Sequence, residues 1–515
     1  MKWMKTGICV LVCLAVLIVP VWGAFAESGG TPKYGGVLKI IGRRSTTVLG
    51  APFERGLSYP TAAPPVMENL IRMDWEGEPL FVLATSFDIK PEANAIIMGI
   101  RKGIKFQDGT PFDAEAVKVN FETKNEKGGV MIREIKSVDV VDDYTVRLNL
   151  TKFSTSIFST MALGSGMMAS AKAINTPTTP EKRAEDHMIG TGPFRFVDWE
   201  RDQYIKYKKF DSYWQKGKPY LDGIEFLYIA DPMTALTAFQ AGQGHLIYEI
   251  TPKDASDLRQ KGYRITASNV GYGLLVGDGA NSNSPFYNQK VREAVEYAID
   301  RKVIADGLGY GYYDALTQPV TNGHRMGYVS GLKTRHYNPE MAKQLLKDAG
   351  YPNGFESKII AQTTDDRDAL VAIQNYLGAV RINMKLELVD RGKYYSILRE
   401  GWQNALIYGR ASATPDLAGD FERWYYPRGA FTYAGKMYLP DGFVKLMDDM
   451  LVTYEPKKHK ELVQKGVRMM HEAACLTPLW AVPNLAASHK SVHSVGWYEN
   501  ALSQHWTPED AWLDD

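Results

Sequence analysis

Three cysteines in 515 residues cannot staple so long a chain, so a disulfide scaffold is excluded. Neither sign of charge prevails either: 60 Lys and Arg face 59 Asp and Glu, for a net charge of +1. A protein that works by neutralising phosphates needs a visible basic excess, so no nucleic-acid partner is expected. Tandem repeats, heptads and low-complexity tracts are missing too, and no long apolar run follows the first thirty residues. What is present is ordinary for a globular protein: 45% apolar and 23% charged residues exclude disorder as the dominant state. The length implies several domains at roughly 150 residues each.

Catalytic signatures are equally scarce. His471-Glu472-Ala473-Ala474-Cys475 begins like a zinc-protease helix but ends on Cys where the second His ligand belongs. His489 and His493 have i, i+4 spacing in a stretch without helical periodicity and read as surface residues. Gly271-Tyr272-Gly273 lacks the third glycine of a dinucleotide site, and Gly164-Ser165-Gly166 lacks the flanking residues of a nucleophile elbow. His187, His245 and His324 show no metal-ligand spacing. No enzyme, no metal and no cofactor is therefore expected.

The N-terminus carries an address. Lys2 and Lys5 precede an apolar run from Ile8 to Val19, Pro20 breaks it, and Ala24-Phe25-Ala26 offers small residues for cleavage after Ala26. A run of about twelve residues is short of the roughly twenty a membrane span needs. Residues 1–26 are expected to be a signal peptide, and the mature protein to be periplasmic. Losing that segment takes the charge from +1 to −1 and leaves Cys475 as the single thiol, in an apolar setting that predicts a buried, unreactive side chain.

Strands and helices alternate, which predicts a mixed α/β protein. Val37 to Ile41 reads as a buried strand, as does Ile224 to Ile229; residues 95–106 are β-rich and end at the Asp108-Gly109 turn. Val146, Leu148 and Leu150 alternate with polar residues, the period of a half-buried strand. Asp231-Pro232 and Asn338-Pro339 each supply a cap and a first-turn proline for a helix. Val291, Ala294, Val295, Ala298 and Ile299 form one helical face. Residues 42–66 read as a surface loop, and 409–442 as a similar but aromatic one.

Taken together, these segments resemble a known family. Tyr34-Gly35-Gly36-Val37-Leu38, then 99–106 with Asp108-Gly109-Thr110-Pro111-Phe112, then Gly190-Thr191-Gly192-Pro193-Phe194 are similar to blocks of extracellular solute-binding protein family 5. Val291-Arg292-Glu293-Ala294, Ala298-Ile299-Asp300-Arg301 and Ala349-Gly350-Tyr351-Pro352 continue the series in family order. These are the periplasmic oligopeptide-, dipeptide- and nickel-binding proteins that serve ABC importers. The resemblance implies a two-lobed periplasmic-binding-protein fold of type II-like α/β architecture with an inserted subdomain, the ligand lying between the lobes. Lobe one would comprise 27–65, 190–275 and 481–515, the insertion 66–189 and lobe two 276–480. It implies a monomer that closes on a peptide or other small organic solute and delivers it to the permease and ATPase subunits in the membrane.

The informative region is where the chain departs from that family. Peptide binders of the family carry a Trp-rich strand followed by an Asp that pairs with the peptide ammonium. Here the run is Ala405 to Asp416, with Arg410 in place of an aromatic residue and Ala413 at the Asp position. Arg410 suits a ligand with a carboxylate, phosphate or polyhydroxyl face; pairing with Asp416 or Asp420 is the structural alternative. Ser412 and Asp416 belong to the same candidate site, and Asp416 replaces the lost Asp only if the register slips. Trp402, Trp424 and Tyr425 are candidate stacking residues or core residues. Arg43 and Tyr59, in the loop after the first strand, and Tyr272, at the crossing into lobe two, complete the expected site. The competing readings are an envelope hydrolase or a metal or metal-chelate receptor using the same cleft.

Overall fold

The run Val37–Gly42 lies in the middle of a sheet, with Leu38, Ile40 and Ile41 wholly buried. It pairs in parallel with Gly223–Tyr228 and with Leu246–Tyr248. In this computed structural model, which describes residues 30–54, 59–126, 134–268, 271–427, 429, 433–498 and 506–514, these strands belong to a seven-stranded sheet. Its order is Arg264–Ser268, Asn484–Ser488, Leu246–Tyr248, Val37–Gly42, Gly223–Tyr228, Tyr204–Lys209, Phe194–Glu200. The signal segment read from residues 1–26 lies outside the described residues.

A second sheet has the order Ile382–Val389, Phe355–Gln362, Leu406–Ser412, Gly271–Gly277, Thr477–Ala481. A third is antiparallel: Ala84–Lys90, Ala95–Ile100, Thr145–Leu150, Ile135–Asp142. In Thr145–Leu150 burial alternates with Val146, Leu148 and Leu150 inward, the period read from the sequence. Asp231 and Asn338 cap the helices Pro232–Gln240 and Pro339–Asp348 through their side chains. The helix Gln289–Ala298 buries Val291, Ala294, Val295 and Ala298.

Several expectations need correction. A lobe boundary between 275 and 276 would divide the strand Gly271–Gly277, which pairs with Leu406–Ser412 along its whole length; the change of sheet falls between Ser268 and Gly271. The stretch 42–66 does not run over a surface: Leu49, Ala51, Ala62, Ala63 and Val66 are buried, and it holds the short helix Tyr59–Ala62. Small residues there permit close packing, which composition alone reads as a loop.

The chain passes between the seven- and five-stranded sheets at Ser268–Gly271 and again at Ala481–Asn484. Ser268 pairs with Asn484, Tyr248 with Ala486, and Gly42 with Tyr228, so this sheet turns the carboxyl ends of its parallel strands toward the crossings. In the other sheet Tyr272 pairs with Ala481 and Gly271 with Ser412, and Phe355–Gln362 runs parallel to Leu406–Ser412. Its parallel strands therefore end at the crossings as well. Such ends are where α/β sheets gather ligands.

Candidate functional site

Side-chain alternation along Leu406–Ser412 puts Leu406, Tyr408, Arg410 and Ser412 on one face, and Ile407, Gly409 and Ala411 on the other. Leu406 and Tyr408 pack with Leu479 and Trp480 in the core. Arg410, two residues on, is exposed and makes no ion pair among the described residues. The expected alternative partners are engaged elsewhere. Asp416 caps the helix Leu417–Tyr425 by accepting from Gly419 N at 2.9 Å, and also accepts from the Ser159 hydroxyl. Asp420 is buried and accepts from Thr414 N at 2.6 Å; burial pushes its carboxyl up to about 6.

The opposite face of the strand is closed by tyrosines. Tyr433 Oη donates to the Arg410 carbonyl at 3.1 Å, and Tyr394 Oη donates to that of Tyr408 at 2.9 Å. A Cβ on Gly409 would come within 2.7 Å of the Tyr394 hydroxyl and closer still to that of Tyr433. The glycine is thus fixed by the approach of two side chains that hold the strand from behind.

Arg410 has neighbours that the sequence reading did not name. Because Ile360 pairs in parallel with Ile407, the loop after Gln362 begins level with Arg410. In that loop Asp365 Oδ2 accepts from Gln362 N at 2.8 Å, and Asp366 caps the helix Arg367–Ala379. Burial holds the Asp365 carboxyl above its ordinary range, opposed by the nearby Arg410 charge. Burial also raises the Tyr313 phenol, with Arg410 acting the other way; the Tyr313 ring stacks on Trp480 at 6.4 Å between centroids. No local pattern announces these residues, since strand pairing and the packing of Tyr313 on Trp480 bring together segments far apart in sequence.

The remaining expected residues divide. Ser412 Oγ accepts from Trp424 Nε1 at 3.3 Å, and the Trp424 ring stacks on Tyr433 at 5.9 Å. Tyr272 and Tyr425 join their hydroxyls at 2.7 Å inside the core, both essentially inaccessible. Trp402 is buried in the same apolar cluster, and its Nε1 has no hydrogen-bond partner among the described residues. Arg410, Ser412 and Trp424 thus gather at one strand end, whereas Tyr272 and Tyr425, expected at the site, are closed inside the core and present no surface to a ligand. Trp402 packs among the core side chains, and Asp416 joins a contact with the segment 66–189.

On the seven-stranded side, Arg43 follows Gly42 at the carboxyl end of its strand and is half-buried, with Nε lacking a partner among the described residues. Arg44 lies 4.0 Å from Glu249, and Tyr59 begins the short helix noted above. A cavity of about 500 Å³ lies along the edge strand Phe194–Glu200 and contains none of these residues. Among the described residues no three His, Cys, Asp or Glu side chains are placed to hold a metal ion. No described helix is long and apolar enough to cross a membrane. His489 and His493 are half-buried, against Phe239 and Trp512 respectively, and not the free surface residues expected. Cys475 is buried as expected, its thiol pushed by burial up to about 12.

Comparison with known proteins agrees with this architecture. The glutathione-binding protein GsiB of Shigella flexneri serotype 5b is 30% identical over 337 residues, which span 63% of this chain and 64% of that protein. Two solved structures share the fold. HbpA2 from Haemophilus parasuis has a TM-score of 0.81 at 21% identity, covering 93% of this chain and 100% of that one. The periplasmic binding protein DppA from Helicobacter pylori, in complex with the peptide STSA, has a TM-score of 0.74 at 22% identity, covering 94% and 99%. The fold is therefore the mixed α/β fold of periplasmic binding proteins. Residues 78–432 match the family described as Bacterial extracellular solute-binding proteins, family 5 Middle, and the chain belongs to that family.

Proposed function

We propose that this chain is the solute-capturing protein of an ABC importer, exported to the periplasm with cleavage after Ala26. Its two lobes would close on a small solute at the junction of the two large sheets, and the permease would recognise the closed form. The lobes are 27–65 with 190–268 and 484–515 on one side and 271–481 on the other, with 66–189 inserted. One observation carries the reading: the parallel strands of both sheets end at the two chain crossings, and Arg410 stands there exposed and without an ion partner. A guanidinium so placed favours a ligand bearing a carboxylate, which it can hold through two parallel hydrogen bonds. A relative is named for glutathione and a fold neighbour was solved with a tetrapeptide, so small peptides with free carboxylates are the first ligands to try.

Mass spectrometry of the solute released by denaturing freshly purified protein identifies the ligand directly. Titration calorimetry with that solute then tests the site. Arg410→Ala should weaken binding by tenfold or more, the scale of a charge-assisted bond worth ~1.5–3 kcal/mol. Unchanged affinity removes Arg410 from the site.

A further inference from the structure

The sequence holds two Asn-Gly pairs, Asn322-Gly323 and Asn353-Gly354. Such a pair can lose ammonia without an enzyme, because glycine lets its own backbone nitrogen swing onto the Asn side-chain carbonyl carbon. The two pairs are alike in sequence and unlike in structure. Gly354 N donates to the Tyr351 carbonyl at 3.0 Å, and a Cβ on Gly354 would collide with the Arg381 carbonyl oxygen. Phe355 N donates to that same oxygen at 3.1 Å and opens the strand Phe355–Gln362. Bringing Gly354 N onto the Asn353 side chain would break this turn and the start of the strand.

Asn322 has no such restraint. It shares with Gly323 the middle of an exposed turn, closed by His324 N on the Thr321 carbonyl at 3.2 Å. Gly323 N has no hydrogen-bond partner among the described residues, and a Cβ on Gly323 would meet nothing within 4 Å. The Asn322 amide is held by one long hydrogen bond, from Nδ2 to the Ala315 carbonyl at 3.3 Å.

We infer that Asn322 is a site of spontaneous deamidation in the folded protein, and that the fold protects Asn353. Gly323 N gives up its proton and attacks Asn322 Cγ; the N–Cγ bond forms, the Cγ–Nδ2 bond breaks, and the amide nitrogen leaves as ammonia with that proton. Water then opens the cyclic imide at either carbonyl, leaving aspartate or isoaspartate. One water is consumed, one ammonia is released, and nothing is oxidised or reduced. The reaction needs no solute and is independent of the proposed function. Its new carboxylate arises three residues before Arg325, which pairs with Glu76 of the segment 66–189. Both partners of that pair are exposed, so solvent screens the added charge and the product is a folded charge variant.

The test is to age folded protein in warm, mildly alkaline buffer and follow it by tryptic peptide mass spectrometry. The peptides 303–325 and 348–358 each contain a single Asn. In folded protein the first should convert roughly tenfold faster than the second, or more, with isoaspartate among its products. In urea, where the turn and strand are gone, the two rates should come together. Asn322→Gln should lose the acidic species that ion exchange resolves in the aged parent. No conversion at Asn322, conversion at Asn353 as fast as at Asn322 in the folded state, or a gap that persists in urea overturns the inference. So does an acidic species equally abundant in Asn322→Gln.

Discussion

Glu68 shows what one buried carboxyl does to the whole chain. It accepts from Tyr213 Oη at 2.7 Å and Trp214 Nε1 at 2.8 Å, with the ion pair Arg72–Glu509 nearby. Burial outweighs these hydrogen bonds and pushes its carboxyl from 4.5 up to about 7. Between those two values the folded state holds a proton that the unfolded state has released, so stability falls as pH rises through this window. Above it the loss is complete. Glu68→Gln keeps an oxygen for Trp214, can donate to Tyr213, and carries no charge. It should flatten the decline in melting temperature between roughly pH 5 and 8, and leave the variant the more stable form at pH 8. Parallel melting curves for parent and variant across that range would show that Glu68 does not titrate there.

At the scale of elements, capping chemistry was legible and close packing was not. Asp231 and Asn338 announced their helices because a cap followed by proline is a local signal. The helix Leu417–Tyr425 was read as aromatic loop, since Pro415 and the glycines around it mask its cap, Asp416. The candidate site divides the same way. Arg410 is conspicuous as the one charge in an otherwise apolar or small strand, whereas Asp365 and Tyr313 meet it through pairing and packing between segments far apart in sequence. Asp416 is the element-scale test. Asp416→Ala removes both the cap and the acceptor for Ser159, so it should cost about 1–2 kcal/mol of stability by chemical denaturation. Ser159→Ala should cost less, and the double variant should cost less than the sum if the two side chains act together. Strict additivity would mean that the hydroxyl contributes nothing through Asp416.

For the molecule as a whole, the proposed closure would be weighed by contacts that are not bonded to Arg410. The segment 66–189 reaches the 271–481 region through Thr155 N to the Leu451 carbonyl at 2.7 Å, the rings of Phe158 and Tyr454 at 5.6 Å, and an ion pair between Glu76 and Arg325. Elsewhere the helices Pro252–Gln260 and Arg301–Gly309 meet. No hydrogen bond or ion pair among the described residues joins these contacts to Arg410, so in the proposed mechanism they bear on the balance of open and closed states. A ligand shifts that balance only by its differential affinity, and the apparent affinity falls with the fraction of competent protein. Tyr454 is part-exposed and its ring packs on Phe158, so Tyr454→Phe keeps the contact while Tyr454→Ala removes it. An aromatic contact worth about 1 kcal/mol corresponds to roughly fivefold in the closing equilibrium. Tyr454→Ala should therefore bind the released solute several-fold more weakly than the parent or Tyr454→Phe, and free Tyr454→Ala should show a larger scattering radius that contracts when ligand saturates it. A radius and affinity equal to the parent's would mean that this contact persists in both states, and that closure pivots on the two chain crossings without help from the segment 66–189.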